Sequence, residues 1–391
     1  MYASNRSWPR AAGLASALLV FGVTDALAFQ RSLGGTPPLA GTVAEQRTKP
    51  TGRLLGPTQP PPPCTTPSRN RNQCGSLLLF PEIDNTEGVK TLFTITDACA
   101  PELAAALQVE VVYINKTNCL ESNARITLTP NDTLTFVTKS LLSNQLTGFA
   151  YAFARETSAA PIHGTPIVAN RLIGQETILN GITNFEYTIS AVSFRGIGAE
   201  GSPNDDDSDG IRDLNGTGAN GEYEEAPDQI VIPRFLGQDP DGAVVDSDLI
   251  LMSLSGGSAF NTSVLFLVYN ERGIQITSQT AEFHCWDKRQ LRDWTTGTLN
   301  AGLDNLMDAN DSDPMEPIGL EPRQAGWIWI NGEHSTSSSE DIVDPAIYAV
   351  LIERSNGGQA ASLPFELCSQ TNGDLVILSS AGDTPQTGDG Q

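Results

Sequence analysis

From Gly75 onward the chain is a succession of short β-branched and aromatic runs, each cut off by Pro, Gly, Asn or Asp. Residues 77–80, 92–96, 109–114, 126–128, 134–138 and 149–154 are the first of them, with Pro130-Asn131-Asp132 as one of the breaks. Branched and aromatic side chains suit a pleated surface, and the punctuating residues favour turns. Sustained helical periodicity is absent. Only residues 101–107, with Pro at the start, suit a helix of two turns. Runs this short and this regularly spaced predict an all-β chain of two antiparallel β-sandwich domains, Ig-like or jelly-roll-like.

The runs also repeat in order. Thr91–Asp97, Val111–Asn115, Thr147–Phe153 and Ile167–Ile173 in the first half match Asp248–Leu254, Leu267–Asn270, Ala325–Ile330 and Ala346–Ile352 in the second. Order is kept while the loops between differ in length, which predicts a diverged duplication. The expected segments are a signal peptide over 1–28, a Pro-rich basic linker over 29–74 and a first domain over 75–198. An acidic loop over 199–228, a second domain over 229–380 and a tail over 381–391 follow.

The start of the chain carries an export pattern. Arg6 and Arg10 precede an apolar stretch, residues 11–23, and then Ala26-Leu27-Ala28. Basic, apolar and small residues in that order are what the secretion machinery and its peptidase read, placing a mature start at Phe29. The stretch is shorter than the roughly 20 residues of a spanning helix. No transmembrane helix is expected after cleavage. Pro37-Pro38, Pro50, Pro57 and the run from Pro60 to Pro63 then favour an extended spacer.

Charge is divided unevenly. The chain has a formal net charge of −23, yet the spacer carries Arg31, Arg47, Lys49, Arg53, Arg69 and Arg71 against Glu45. The body is therefore more acidic than the whole. Such a body repels nucleic acid and anionic lipid, so no nucleic-acid partner is expected.

All six cysteines, Cys64, Cys74, Cys99, Cys119, Cys285 and Cys368, lie beyond the cleavage site. An even number in an exported chain favours disulfides. Nearness in sequence and the repeat suggest Cys64–Cys74, Cys99–Cys119 and Cys285–Cys368. There is no Cys-x-x-Cys pair.

Between the halves lies the densest acidic stretch, residues 204–216. Asp205, Asp207 and Asp209 alternate, Gly210 allows a sharp turn, and Ile211 and Asp213 follow. Calcium takes six to eight hard oxygens in a flexible shell, and carboxylates at alternate positions wrap one ion. The ligand set predicted for Ca2+ is Asp205, Asp207, Asp209, the Ile211 carbonyl and Asp213. The stretch resembles the calcium loops of EF-hand, dockerin and thrombospondin type-three repeats. It departs from a calcium hand at the twelfth position, where Gly216 stands instead of a bidentate Glu. Glu222, Glu224 or Glu225 are candidates for that missing group. A solvated acidic loop is the alternative.

Catalytic motifs are few. The histidines are His163, His284 and His334. His284-Cys285-Trp286-Asp287 sets a His near an Asp, but a triad also needs a placed nucleophile, and Cys285 is better explained by a disulfide. No Gly-x-Ser-x-Gly, His-Glu-x-x-His or phosphate-binding Gly loop occurs. Trp327 and Trp329 fall on one face of a strand. They are either core residues or a sugar-stacking platform.

The phrases from Gly75 to Glu82, Leu128 to Phe136, Tyr223 to Asp228, Ile232 to Phe235 and Phe283 to Asp287 resemble those of exported bacterial β-sandwich proteins of unknown function. That resemblance implies export and a β fold. It brings no catalytic residues. The expected role is a secreted, periplasmic or cell-surface protein without enzymatic activity, acting in adhesion or in envelope or matrix assembly with a surface or matrix component. The alternative is a carbohydrate-binding module or a polysaccharide-acting enzyme.

Overall fold

A computed structural model describes residues 71–101, 104–141, 147–157, 165–204, 211–217, 221–236, 246–270, 275–295, 325–355, 358–369 and 373–375. The expected signal peptide, most of the spacer and the expected tail lie outside them. So do Asp205, Asp207 and Asp209. The described residues belong to one compact unit that starts at Leu54.

The chain is nearly all β, in antiparallel sheets. One sheet of the first half has five strands in the order β4 (Glu121–Leu128), β3 (Leu107–Asn115), β6 (Thr147–Arg155), β1 (Leu77–Asp84) and β9 (Val192–Phe194). The other has four, β5 (Thr133–Val137), β2 (Val89–Asp97), β7 (Leu172–Asn180) and β8 (Phe185–Ser190). The second half begins after a short strand, β10 (Arg212–Asp213). Its first sheet runs β14 (Gln275–Phe283), β13 (Asn261–Asn270), β16 (Ala325–Thr336), β11 (Pro227–Leu236) and β20 (Phe365–Ser369), with β17 (Asp341–Val343) added on β16. Its second runs β15 (Trp286–Gln290), β12 (Asp246–Ser253), β18 (Ile347–Ser355) and β19 (Gly358–Ser362). A last strand, β21 (Asp374–Leu375), pairs with β10.

The two strand orders are the same once β10 and β17 are passed over. β1 to β9 correspond in turn to β11 to β16 and then β18 to β20. Three of the four sequence matches fall on corresponding strands, β2 with β12, β3 with β13 and β6 with β16; the fourth reaches only the first two residues of β7, Leu172 and Ile173, while its counterpart lies in β18.

Of the helix expected over 101–107, the described residues Pro101 and 104–107 are not helical. Ala104 N bonds to Pro101 O in a single turn, and Leu107 already begins β3 with only 2% of its surface exposed. Burial of Leu107 in a strand outweighs a marginal two-turn helix. Gly148 opens β6 with φ +151°, and a Cβ there would lie 1.9 Å from Ile114 O. Glycine is required at that crossing of two strands.

The halves are not two sandwiches with separate cores. One cluster fills the first half, from Leu78, Phe80, Phe93, Val111, Tyr113, Ala150 and Ala152. A second fills the other half, from Ile232, Leu249, Leu251, Phe266, Ile328 and Ala349. A third joins them, combining Leu77, Leu79, Tyr151 and Phe153 with Ile250, Met252, Tyr348, Val350 and Ile352. Alternate residues of β1, β6, β12 and β18 thus enter different cores, as a period of two demands. Strands buried on both faces read as continuous apolar runs, and these do.

Adjacent residues of β12 serve as a test. Ile250→Ala empties part of the joining core and Leu251→Ala part of the second-half core, each costing about 2–5 kcal/mol. Because the joining core ties both halves, each variant is expected to unfold in one transition. Coincident circular dichroism and tryptophan fluorescence curves in urea check this; two separated transitions contradict it.

Candidate functional site

The chemistry-bearing residues that the structure brings together line the seam between the halves. Arg71, at the start of the described chain, is buried there. Its Nε and Nη2 donate to the two carboxylate oxygens of Glu366 at 2.8 and 2.9 Å. Nη1 reaches Glu224 Oε2 at 3.3 Å, Nη2 also donates to Glu225 O at 2.6 Å, and the guanidinium sits 4.2 Å over the Phe194 ring. A planar five-donor group satisfies several acceptors at once, which suits Arg to this crowded junction. The expected linker therefore ends before Arg71.

A second buried group involves both halves. Glu82 on β1 accepts from Tyr187 Oη at 2.7 Å and from Lys288 Nζ at 2.6 Å, and Lys288 Nζ also donates to Tyr187 Oη at 3.1 Å. Glu176 on β7 accepts from the backbone N of Glu82 at 2.8 Å, while its Oε2 has no partner among the described residues. Burial first, and then the charge of Glu82, push the Glu176 carboxyl well above the ordinary range. Burial, reinforced by Glu82, likewise raises the Tyr187 hydroxyl. The Lys288 ion pair to Glu82 offsets part of the cost of burying charge here. The Glu82 and Glu176 carboxyls are almost fully covered.

The disulfides are Cys74–Cys99 and Cys119–Cys285. The expected pairings of Cys74 with Cys64, Cys99 with Cys119 and Cys285 with Cys368 are overturned. Cys64 lies outside the described residues. Sequence proximity failed because the β3–β4 turn carrying Cys119 faces the β14–β15 corner carrying Cys285, across the seam. Lys116 on the same turn pairs with Asp287 and lies 5.4 Å over the Trp286 ring. His284 Nδ1 lies 3.0 Å from Cys119 Sγ.

Of the expected calcium ligands, Ile211 and Asp213 are described. Asp213 is buried in β10, and its carbonyl accepts from the backbone N of Glu222 and Tyr223. Glu222 carries an ion pair to Arg212 at 3.2 Å, and Glu224 one to Arg71. Both acids therefore already hold buried arginines; Asp205, Asp207 and Asp209 lie outside the described residues. The stem of the loop is firmly seated, since Leu214, Tyr223, Ala226 and Leu375 all belong to the joining core.

The two tryptophans of β16 point away from Ile328 and Ile330, hence onto the outer face of the second half. Trp329 is only 4% exposed, whereas Trp327 is half-buried and stacks on Tyr269 with centroids 4.0 Å apart. Cross-strand neighbours extend the patch: Trp329 pairs with Leu267 and Val231, and Val231 with Phe365, which is 63% exposed. The corresponding first-half strand, β6, offers Tyr151 and Phe153, which are buried in the joining core. The match of Thr147–Phe153 with Ala325–Ile330 in the sequence carried this equivalence, but not which of the two aromatic faces is buried in the joining core. No helix among the described residues is long and apolar enough to cross a membrane.

No family model matches the chain, and no curated protein matches it. Among solved structures, the crystal structure of Thermotoga maritima 1070 is 11% identical, with a TM-score of 0.23 over 33% of this chain and 98% of that one. The cowpea mosaic virus top component, a naturally occurring empty particle, is 8% identical, with a TM-score of 0.16 over 79% of this chain and 95% of that one. Likenesses this weak assign neither fold nor function.

The raised Glu176 carboxyl predicts a pH effect. Folded Glu176 stays protonated where the unfolded chain ionises near 4.5, so the folded state loses stability as pH rises above that value toward the raised folded one. Glu176→Gln removes this loss. The variant is expected to match the wild type below about pH 4.5 and to melt higher at pH 7. Calorimetry across that range checks it, and equal melting temperatures at pH 7 contradict it.

Proposed function

We propose that this is an exported structural protein of the cell surface or envelope, built from two diverged copies of one β-sandwich unit, and that it acts in adhesion or matrix assembly. The aromatic outer face of the second half carries this reading. The same face of the first half is the one it uses to grip its neighbour, so the repeat leaves a second gripping surface at Trp327, Tyr269 and Phe365. Large aromatic side chains supply contact area at low entropic cost; Phe365 is 63% exposed, and Trp327 and Tyr269 are stacked and half-buried. Export is supported by the leader pattern and by two disulfides, which persist in oxidising compartments. The sugar-platform alternative is weakened by the covering of Trp329.

Trp327→Ser with Phe365→Ser is expected to release the protein from the envelope fraction into the soluble fraction at least tenfold while leaving its melting temperature within a few degrees. Wild-type protein that never fractionates with the surface contradicts the proposal.

Calcium binding at the acidic loop is the second part of the proposal. Its support is the alternation of Asp205, Asp207 and Asp209 above a stem rooted in the joining core. An ion there stiffens a loop whose own charges repel. Calcium at a hundred times its Kd then adds about 2.7 kcal/mol of stability. The melting temperature is expected to rise with calcium, to fall with EDTA, and to respond to neither in Asp207→Ala. An unresponsive wild type contradicts calcium binding.

A further inference from the structure

Among the described residues, Cys119, His284 and Cys285 place two sulfurs and a ring nitrogen within 4.8 Å of one another. They come from both halves. Cys119 ends the β3–β4 turn, with φ +54°, and its backbone N bonds to Asn115 O at 2.7 Å. His284 and Cys285 form the β14–β15 corner. The two cysteine Cα atoms are 5.9 Å apart.

The imidazole is held in one tautomer. Its Nε2 lies 2.9 Å from the carbonyl oxygen of Ser258, which only accepts, so Nε2 carries the proton. Nδ1 is then bare, and its lone pair faces Cys119 Sγ at 3.0 Å. A disulfide sulfur gives that lone pair nothing to bind. A metal-binding histidine has the same outer arrangement, with its second ring N–H donated to a backbone carbonyl, which fixes the ring and raises its basicity.

We infer that Cys119, Cys285 and His284 form a soft-metal site that is closed by the disulfide and opened by reduction. A dithiol supplies two electrons and two protons, closing its own disulfide as the Cys119–Cys285 bond opens to two thiols. Zinc, or another thiolate-seeking divalent ion, then displaces both thiol protons to solvent and takes Nδ1 as its third donor. A tetrahedral zinc with bonds of about 2.3 Å to sulfur and about 2.0 Å to nitrogen has its donors roughly 3.5–3.8 Å apart, a spacing these side chains reach by rotation. Water completes the shell. Because the donors come from both halves, the metal replaces one covalent tie across the seam with another. The site is chemically distinct from the acidic loop, whose oxygens select hard cations.

The test uses the full mature chain, reduced on an immobilised dithiol so that no free thiol competes, and titrated with cobalt(II). The reduced protein is expected to develop thiolate-to-cobalt charge-transfer bands and the intense visible bands of tetrahedral cobalt. The oxidised protein is expected to show neither. Cys74→Ser with Cys99→Ser, which removes the other described disulfide, keeps the signal. His284→Ala, which retains the disulfide for folding, weakens cobalt binding at least tenfold. Absence of the bands in reduced wild type overturns the inference, as does an unchanged affinity in His284→Ala. A reduced chain that loses its β-sheet circular dichroism and binds cobalt no better than a urea-unfolded sample also overturns it.

Discussion

The architecture depends on burying both faces of four strands. β1 and β6 from one half, and β12 and β18 from the other, each send alternate side chains into an intrinsic core and into the joining core. A sheet with one solvated face needs only one apolar side per strand. Here the second apolar side is the cement between repeats. The five-stranded sheet of the first half meets the four-stranded sheet of the second, so the repeats stack head to tail rather than face to equivalent face. Such an arrangement leaves one unlike face at each end. One end is the outer side of β2, β5, β7 and β8, laced by exposed hydroxyl pairs Thr94–Thr135, Thr96–Thr133 and Thr177–Thr188. The other is the aromatic outer side of β16 and its neighbours. Stacked repeats commonly end in a polar cap, and the threonine face has that character.

The polar residues at the seam follow from the same burial. Arg71 with Glu366, and Glu82 with Glu176 and Lys288, form buried polar groups at the seam, the latter three within strands β1, β7 and β15. Their hydrogen bonds and opposed charges offset a desolvation cost that would otherwise be prohibitive, and they admit only one alignment of the halves. The Cys119–Cys285 disulfide fixes that alignment covalently, closing a long loop and so removing much entropy from the unfolded chain. The His284 ring beside it gives the tie a chemistry that an ordinary structural disulfide lacks.

Much of the fold was legible in the residues. Short runs and turn signals marked the strands, and three of the four matched runs fell on corresponding strands of the two halves. The joining core was written there too, as the unbroken apolar runs of 77–80, 249–252 and 347–352, but their double-sided burial was missed when each half was treated as a separate domain. The disulfide partners were not legible at all. Cys119 and Cys285 are 166 residues apart, and only the stacking of the halves brings their turns together. The same holds for Glu82 and Lys288. The role of Glu224 also depended on a distant arginine, Arg71, that spacing along the chain cannot place.

By itself, the sequence determined what local chemistry determines. It set where many strands lie, which order they repeat in, and where the acidic residues are densest. Those signals are short-range, arising from backbone preference, side-chain period and charge density within a few residues. The tertiary structure alone decided which face of each strand is buried twice, which cysteines join, which carboxyl stays protonated and which aromatic face is left outward. Each of these depends on groups that are far apart in the chain and meet only when one sheet packs on another, where the loss of water reverses the balance of charge, hydrogen bonding and apolar contact.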